Sequence, residues 1–252
     1  MRVDLNCDVG ETDRAAIDGD APVMAFATSV SVACGFHAGD PDTMQRTIAV
    51  AAAHDVAVGA HPGYADRENF GRRELALSLT AIADLVVHQV GTLDGFARAA
   101  GIRLQHVKLH GALYNTAARE PAIADAAVAA VASLGQRLFI VGPPGSAFEI
   151  AARKHALPFA AEVFADRTYA PDGQLTPRSD PRAFVPDPDE AARRMLRLLR
   201  DGVVETTAGT TLALRADTVC LHGDNPDALT FARRLAAALD AAGITRRAFG
   251  RQ

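Results

Sequence analysis

Seven short apolar runs punctuate the chain, and between them the spacing of apolar residues switches from a strand period to a helical one. The runs are Arg2–Asn6, Val30–Phe36, Ala57–Ala60, Leu104–Leu109, Arg137–Val141, Phe159–Val163 and Thr218–Leu221. The intervening stretches read as helices. Pro41–His54 follows Asp40 as N-cap, with proline in the first turn where its missing N–H costs nothing. Leu79–Ala100 follows Ser78, with Gly91 and Gly95 as candidate break points. Pro121–Ser133, Ala147–Ala156, Pro188–Arg200 and Pro226–Ala241 complete the set. Strand alternating with helix is the pattern of a parallel sheet, because parallel neighbours need a long crossover and the crossover helix covers the sheet. About seven such units predict an α/β fold, an irregular (β/α) barrel of about seven parallel strands, with a doubly wound open sheet as the competing arrangement. No linker, repeat or low-complexity tract divides the chain, so residues 1–252 read as a single domain. The segment Ala165–Pro186, rich in proline, charge and turn residues, reads as a long functional loop at the rim. The stretch VVETTAGTTLALRA reads as a hairpin or small strand pair.

Composition narrows the function classes. A net charge of -4 gives no general pull toward nucleic acid or an anionic membrane, and no apolar run is long enough to span a bilayer. The N-terminal MRVDLNCD is an acidic strand and not a signal peptide, so a cytoplasmic protein is expected. Cys7, Cys34 and Cys220 lack C-x-x-C spacing and read as reduced thiols. Neither G-x-x-x-x-G-K-[ST] nor G-x-G-x-x-G occurs, and the GPPG at Gly142–Gly145 reads as a turn.

In a parallel barrel, alternate strand residues face the interior and the others face the helices, and the helix-facing set must be apolar. In QHVKLHG, Val107 and Leu109 therefore face out, and His106, Lys108 and His110 face in. In RVDLNCD, Val3 and Leu5 face out, which turns Asp4, Asn6 and, if the chain stays extended, Asp8 inward. The same rule turns His37, His61, Glu162 and His222 inward, and Asp166 if the strand direction continues. His37, His61, His110 and His222 each fall just past the C-terminal end of a strand, the end that carries the active site in such folds. A lone strand-end histidine is usually structural; four on one rim beside Asp8 and Glu162 point to a site. Neutral imidazoles with a carboxylate suit zinc, manganese or iron(II), but no H-x-x-x-H or H-E-x-x-H spacing is present. A metal centre and a metal-free acid–base cluster both remain open. An inward lysine must find an anion or lose its charge. Lys108 is thus either a clamp on a substrate anion or oxyanion, or an ion-pair partner of Asp4 or Glu162. Arg72 and Arg73, in NFGRRE, lie rim-side and can bind an anion or stand solvated.

The motifs DLNCDVGE, VACGFHAGDP, GAHPGYADRENFGRRE, VKLHGALYN, EVFADRTYAPDGQLTPR and LHGD resemble the LamB/YcsF family, the A subunits of bacterial 5-oxoprolinase, in order from Asp4 to Asp224. The family usually has proline where Leu109 and Ala65 stand and asparagine where Ser31 stands, and the stretch after Arg178 differs from its pattern. The resemblance implies ATP-dependent opening of 5-oxo-L-proline to L-glutamate, jointly with subunits B and C, with ATP as co-substrate of the complex. It also implies a barrel similar to the glycoside hydrolase/deacetylase fold. In those deacetylases an aspartate and two histidines bind a divalent metal, and the matching positions here are Asp8, His61 and His110. On this reading Asp8, His61, Lys108 and His110 are catalytic. Asn6, His37, Arg72, Arg73, Glu162 and His222 contact substrate. A free-standing metal-dependent amidohydrolase or deacetylase, and a non-catalytic subunit that binds 5-oxoproline, are the alternatives.

Overall fold

The alternating pattern closes on itself in the computed structural model, which describes residues 1–11, 17–221 and 227–251. In chain order the strands are β1 (Arg2–Val9), β2 (Ser29–Ala33), β3 (Ala57–His61), β4 (His106–Lys108), β5 (Phe139–Gly142), β6 (Phe159–Phe164), β7 (Val203–Glu205), β8 (Thr211–Ala213), β9 (Thr218–Leu221) and β10 (Thr245–Arg246). Strands β1 to β6 pair in sequence, all parallel; β6 then pairs with β9, and β9 pairs with β1. The β9–β1 ladder, from Asp4↔Thr218 to Cys7↔Leu221, closes a seven-stranded barrel and excludes the open sheet. No eighth barrel strand is needed: β10 only extends the sheet beside the first residues of β1. Strands β7 and β8 form the expected antiparallel hairpin outside the barrel.

The helices are α1 (Ile17–Met24), α2 (Pro41–Ala53), α3 (Leu79–Ala99), α4 (Gly111–Arg119), α5 (Pro121–Ser133), α6 (Ala147–Lys154), α7 (Pro188–Asp201) and α8 (Ala228–Ala241). Asp40 caps α2 by accepting from the Thr43 N–H, and Ser78 caps α3 by accepting from the Ala81 N–H. Helix α3 runs unbroken through Gly91 and Gly95. Both glycines look onto open space, while Ile82, Leu85, Val86, Val90, Leu93 and Ala97 bury the other face. The packing of that face outweighs about 1 kcal/mol of lost propensity at each exposed glycine. No helix among the described residues is long and apolar enough to cross a membrane.

The facing rule holds wherever contacts settle it. Val3, Leu5, Val30, Val32, Val58, Val107, Ile140, Val163 and Val219 join one apolar layer with Ile48, Val86, Val131, Met195 and Leu235 of the helices. The barrel interior is polar. Asp4 accepts hydrogen bonds from Thr28, Ser29 and Thr218. The Nε2 of His106 reaches Ser31 Oγ on β2 at 3.2 Å, across β3, which lies between their strands. It can do so because residue 59 is glycine: a Cβ there would stand 2.2 Å from the His106 ring.

Candidate active site

The strand ends converge on a cluster of imidazoles and carboxylates. His61 is the last residue of β3, and His110 is the N-cap of α4, just past β4. His37 follows β2 after a turn at Gly35 (φ +95°), and its ring stacks on His110 with centroids 3.8 Å apart and planes 1° from parallel. Residue 63 has no Cβ, which would stand 2.7 Å from His37 Nδ1. After Asp8 the chain passes Gly10 (φ +70°) and brings in Glu11. The Glu11 carboxylate stands 3.0 Å from His110 Nδ1, 3.2 Å from His37 Nε2 and 3.6 Å from His61 Nε2. One ligand-type atom from each of Glu11, His37, His61 and His110 lies within 4.8 Å of all the others.

The tautomers follow from the outer contacts. His61 Nδ1 is 2.8 Å from the Lys108 carbonyl, and His110 Nε2 is 2.8 Å from the Phe70 carbonyl. A carbonyl oxygen only accepts, so both of these nitrogens carry hydrogen and donate. That turns His61 Nε2 and His110 Nδ1 toward each other, 2.9 Å apart, with the Glu11 carboxylate beside both. Asp8 Oδ2 lies 3.5 Å from the same His61 nitrogen. Burial pushes the pKa of His61 down to about 3 and lowers that of His37, which keeps these rings neutral. Burial works against the Glu11 carboxylate, but its contacts with His110 and His37 outweigh this and hold its pKa well below the usual range. Two imidazole nitrogens and a carboxylate that converge in this way can share a cation. Two or three imidazoles with a carboxylate are the donor set of a divalent transition metal, and a ligand histidine whose far nitrogen is fixed by a carbonyl is its usual support. The residues present therefore fit such an ion.

Lys108 holds the floor beneath. Its Nζ lies 2.9 Å from Asp8 Oδ1, 2.7 Å from Glu162 Oε1, 3.2 Å from Asn6 Oδ1 and 3.0 Å from Cys220 Sγ. These partners sit on β1, β6 and β9, none of which neighbours β4, so the contacts cross the barrel interior. Of the two ion-pair partners expected from sequence, Glu162 is found and Asp4 is not: Asp4 bonds instead to hydroxyls of Thr28, Ser29 and Thr218. Burial disfavours the ammonium, but Asp8 and Glu162 outweigh it and hold the Lys108 pKa well above the ordinary lysine value. Tyr114, from α4, donates to Glu162 Oε2 at 2.7 Å; burial and that carboxylate raise its pKa.

Above this floor opens a cavity of about 850 Å³. Its base is Asp8, Glu11, His61, Lys108, His110 and Glu162, and its walls include Tyr114, the turn Pro143–Ser146 and Leu212–Leu214 of the hairpin region. Arg72, Arg119, Arg167 and Arg178 also line it. The long loop contributes Asp172–Arg178. It folds on itself through bridges Arg167↔Phe184 and Tyr169↔Leu175, and it is tied to the hairpin region through Tyr169↔Thr206.

Of the residues singled out from sequence, Asp8, His61, Lys108, His110, Arg72 and Glu162 line the cavity. Asn6, His37 and Arg73 do not. Asn6 lies deeper and donates to Glu162 and Thr218, His37 is fully buried against Glu11, and Arg73 pairs with Asp66 at 3.5 Å. His222 lies outside the described residues. Sequence reasoning missed Glu11, Tyr114, Arg167 and Arg178 as site residues. Glu11 closes the quoted DLNCDVGE, but the alternation that exposed Asp8 ends at Gly10. Tyr114 stands on a helix that lacks a capping side chain.

Comparison with known proteins agrees with this architecture. Residues 3–252 match the LamB/YcsF family. The chain is 52% identical over 243 residues to the A subunit of 5-oxoprolinase from Bordetella pertussis, covering 96% of each. It is 46% identical over 245 residues to the Bacillus subtilis protein of the same name, covering 97% of this chain and 95% of the other. The crystal structure of the lactam utilization protein from Thermus thermophilus superposes with a TM-score of 0.93 at 45% identity, covering 99% of this chain and 100% of that one. A putative cellobiose-phosphate cleavage protein from Enterococcus faecalis shares the fold at a TM-score of 0.58 and 12% identity, covering 97% of this chain and 96% of that one.

Proposed function

The chain belongs to the LamB/YcsF family, and on that premise we propose that it is the hydrolytic component of an ATP-dependent 5-oxoprolinase. With partner subunits B and C it opens the lactam of 5-oxo-L-proline to L-glutamate. The name carried by relatives about half identical over nearly their whole length supports the reaction and the partnership. The observation that carries the hydrolytic role is the facing pair His61 Nε2 and His110 Nδ1, 2.9 Å apart, with Glu11 and Asp8 beside them. A divalent metal held there by Glu11, His37, His61 and His110 would supply Lewis acidity and a more acidic water. This ligand set differs from the Asp8, His61 and His110 that the deacetylase resemblance implies. It leaves Asp8 for proton transfer.

An unactivated lactam hydrolyses slowly, and phosphorylation of its carbonyl oxygen makes the ring carbon electrophilic. The sequence holds no recognisable nucleotide-binding motif, so that step is assigned to one of the partners. Water then adds to the ring carbon while Asp8 takes its proton. The C–N bond breaks as the nitrogen receives that proton from Asp8 and the added hydroxyl becomes the carbonyl, its own proton passing through solvent to the released amine; the product is the amine with an acyl phosphate. A second water releases phosphate and leaves glutamate. Lys108 pairs with Asp8 and Glu162 and holds both carboxylates in place. Its Nζ already faces four protein acceptors, so it acts as a positioning residue and not as a clamp on the substrate. The need for ATP fits a cytoplasmic complex.

The test is glutamate release from 5-oxoproline, measured with and without ATP and with and without subunits B and C. Release only when ATP and all subunits are present supports the reading. Release by this chain alone, without ATP, would identify a free-standing amidohydrolase.

A further inference from the structure

The cavity is polarised. Its base carries the carboxylates of Asp8, Glu11 and Glu162, whereas Arg72, Arg167 and Arg178 line the same space from two different loops. Arg167 is the unusual member, because its side chain is buried at 5% exposure and yet lines the cavity. It bonds to neutral acceptors, Nε to the Ala183 carbonyl at 3.2 Å and Nη2 to the Thr176 carbonyl at 2.6 Å. No carboxylate among the described residues lies within ion-pair distance of it. Arg178 adds to the positive charge here: both guanidinium groups lie over the Phe184 ring, at 5.1 Å and 5.2 Å from its centroid. Burial, followed by the field of Arg178, lowers the Arg167 pKa to about 10; the field of Asp166 opposes this without reversing it, and Arg72 adds to the lowering. A buried guanidinium with like-charged neighbours is costly unless an anion joins it. Planar, forked donors in such a group match a phosphoryl oxygen set.

We propose that Arg72, Arg167 and Arg178 form a phosphoryl-binding subsite, so that this chain receives its lactam already phosphorylated. The idea rests on the ring-opening function proposed above and adds where the activating group is held. The negative base repels the phosphoryl group and the arginines attract it, which orients the ring carbon toward Asp8 and the histidines. Lys108, already committed to Asp8 and Glu162, takes no part in anion binding.

The test is calorimetric titration of the purified chain, of measured metal content and without its partners, with inorganic phosphate and, at matched ionic strength, acetate. The wild type should bind phosphate at least tenfold more tightly than acetate. Arg167→Met should weaken phosphate binding tenfold or more and leave metal content unchanged. The exposed pair Arg72→Met/Arg178→Met should do the same, which keeps the test decisive if Arg167→Met does not fold. Equal affinity for the two anions, or phosphate binding that survives the arginine substitutions as it would on a cation at the histidines, overturns the subsite. Absence of 5-oxoproline turnover in the complete complex would overturn the ring-opening function instead and leave this binding measurement standing.

Discussion

Replacing Lys108 with methionine keeps most of the side-chain length and removes the ammonium. Asp8 and Glu162, 6% and 1% exposed, then lose a counterion that stood 2.9 Å and 2.7 Å away. Breaking a buried ion pair by deleting one partner costs about 3–5 kcal/mol. For a chain of this size that corresponds to a fall in Tm of roughly 6–20 °C. The loss has a ceiling, because a stranded carboxylate can take up a proton at about 1.4 kcal/mol per unit of raised pKa. The sign then follows. In the variant these carboxylates titrate above their unfolded values, so the folded chain binds more protons and its stability falls as pH rises. In wild type the raised Lys108 pKa contributes stability that is fully present below the ordinary lysine value and is lost only as pH rises through the higher folded value. The stability gap between the two proteins should therefore be widest near about pH 8 and shrink toward about pH 5. Urea unfolding followed by circular dichroism across that range measures it. Glu162→Gln in the Lys108→Met background should recover part of the loss. A variant as stable as wild type at every pH, or a gap that ignores pH, would refute the claim that Lys108 is the counterion of this floor.

Three further outcomes follow from the same packing. Asp4 is pushed up to about 6 by burial, so its contribution to stability is present below about pH 3.8 and lost as pH rises through 6; Asp4→Asn should flatten that part of the stability curve by about 3 kcal/mol in urea titrations. Val107→Asp places an unpaired charge between barrel and helices, at several kcal/mol, and should yield no soluble, cooperatively unfolding protein. Gly59→Ala drives a Cβ into the His106 ring and should cost about 1–3 kcal/mol in the same unfolding assay.

The barrel was legible because each strand separates its chemistry by parity. Val107 and Lys108 are adjacent in sequence, yet one packs on helices and the other crosses the interior to β1 and β6. Parity fails where the chain turns. Positive φ at Gly10 and Gly35 re-aims Glu11 and His37, so an expected substrate contact is a buried member of the imidazole cluster, and its carboxylate neighbour was unseen. Helix α4 follows His110, an N-cap that makes no side-chain capping bond, and α1 carries Pro22 in its interior, a residue that argues against a helix, so neither was read from sequence. The partner of Lys108 was half legible. Asp4 and Asp8 share a face of β1, and only the stagger of the closed barrel decides that the lysine meets Asp8.

If the bond-breaking chemistry takes place at the histidine–carboxylate centre of this chain, two substitutions there decide the matter. Glutamate release is measured for the complex reconstituted with wild type, His61→Ala or His110→Ala, with the metal content of each chain determined alongside. Wild type should carry about one divalent metal per chain. Both variants should stay folded, bind little metal and lose turnover, and wild-type activity should disappear with a chelator and return with added metal. Full turnover by either variant, or by chelated wild type, would place the chemistry elsewhere.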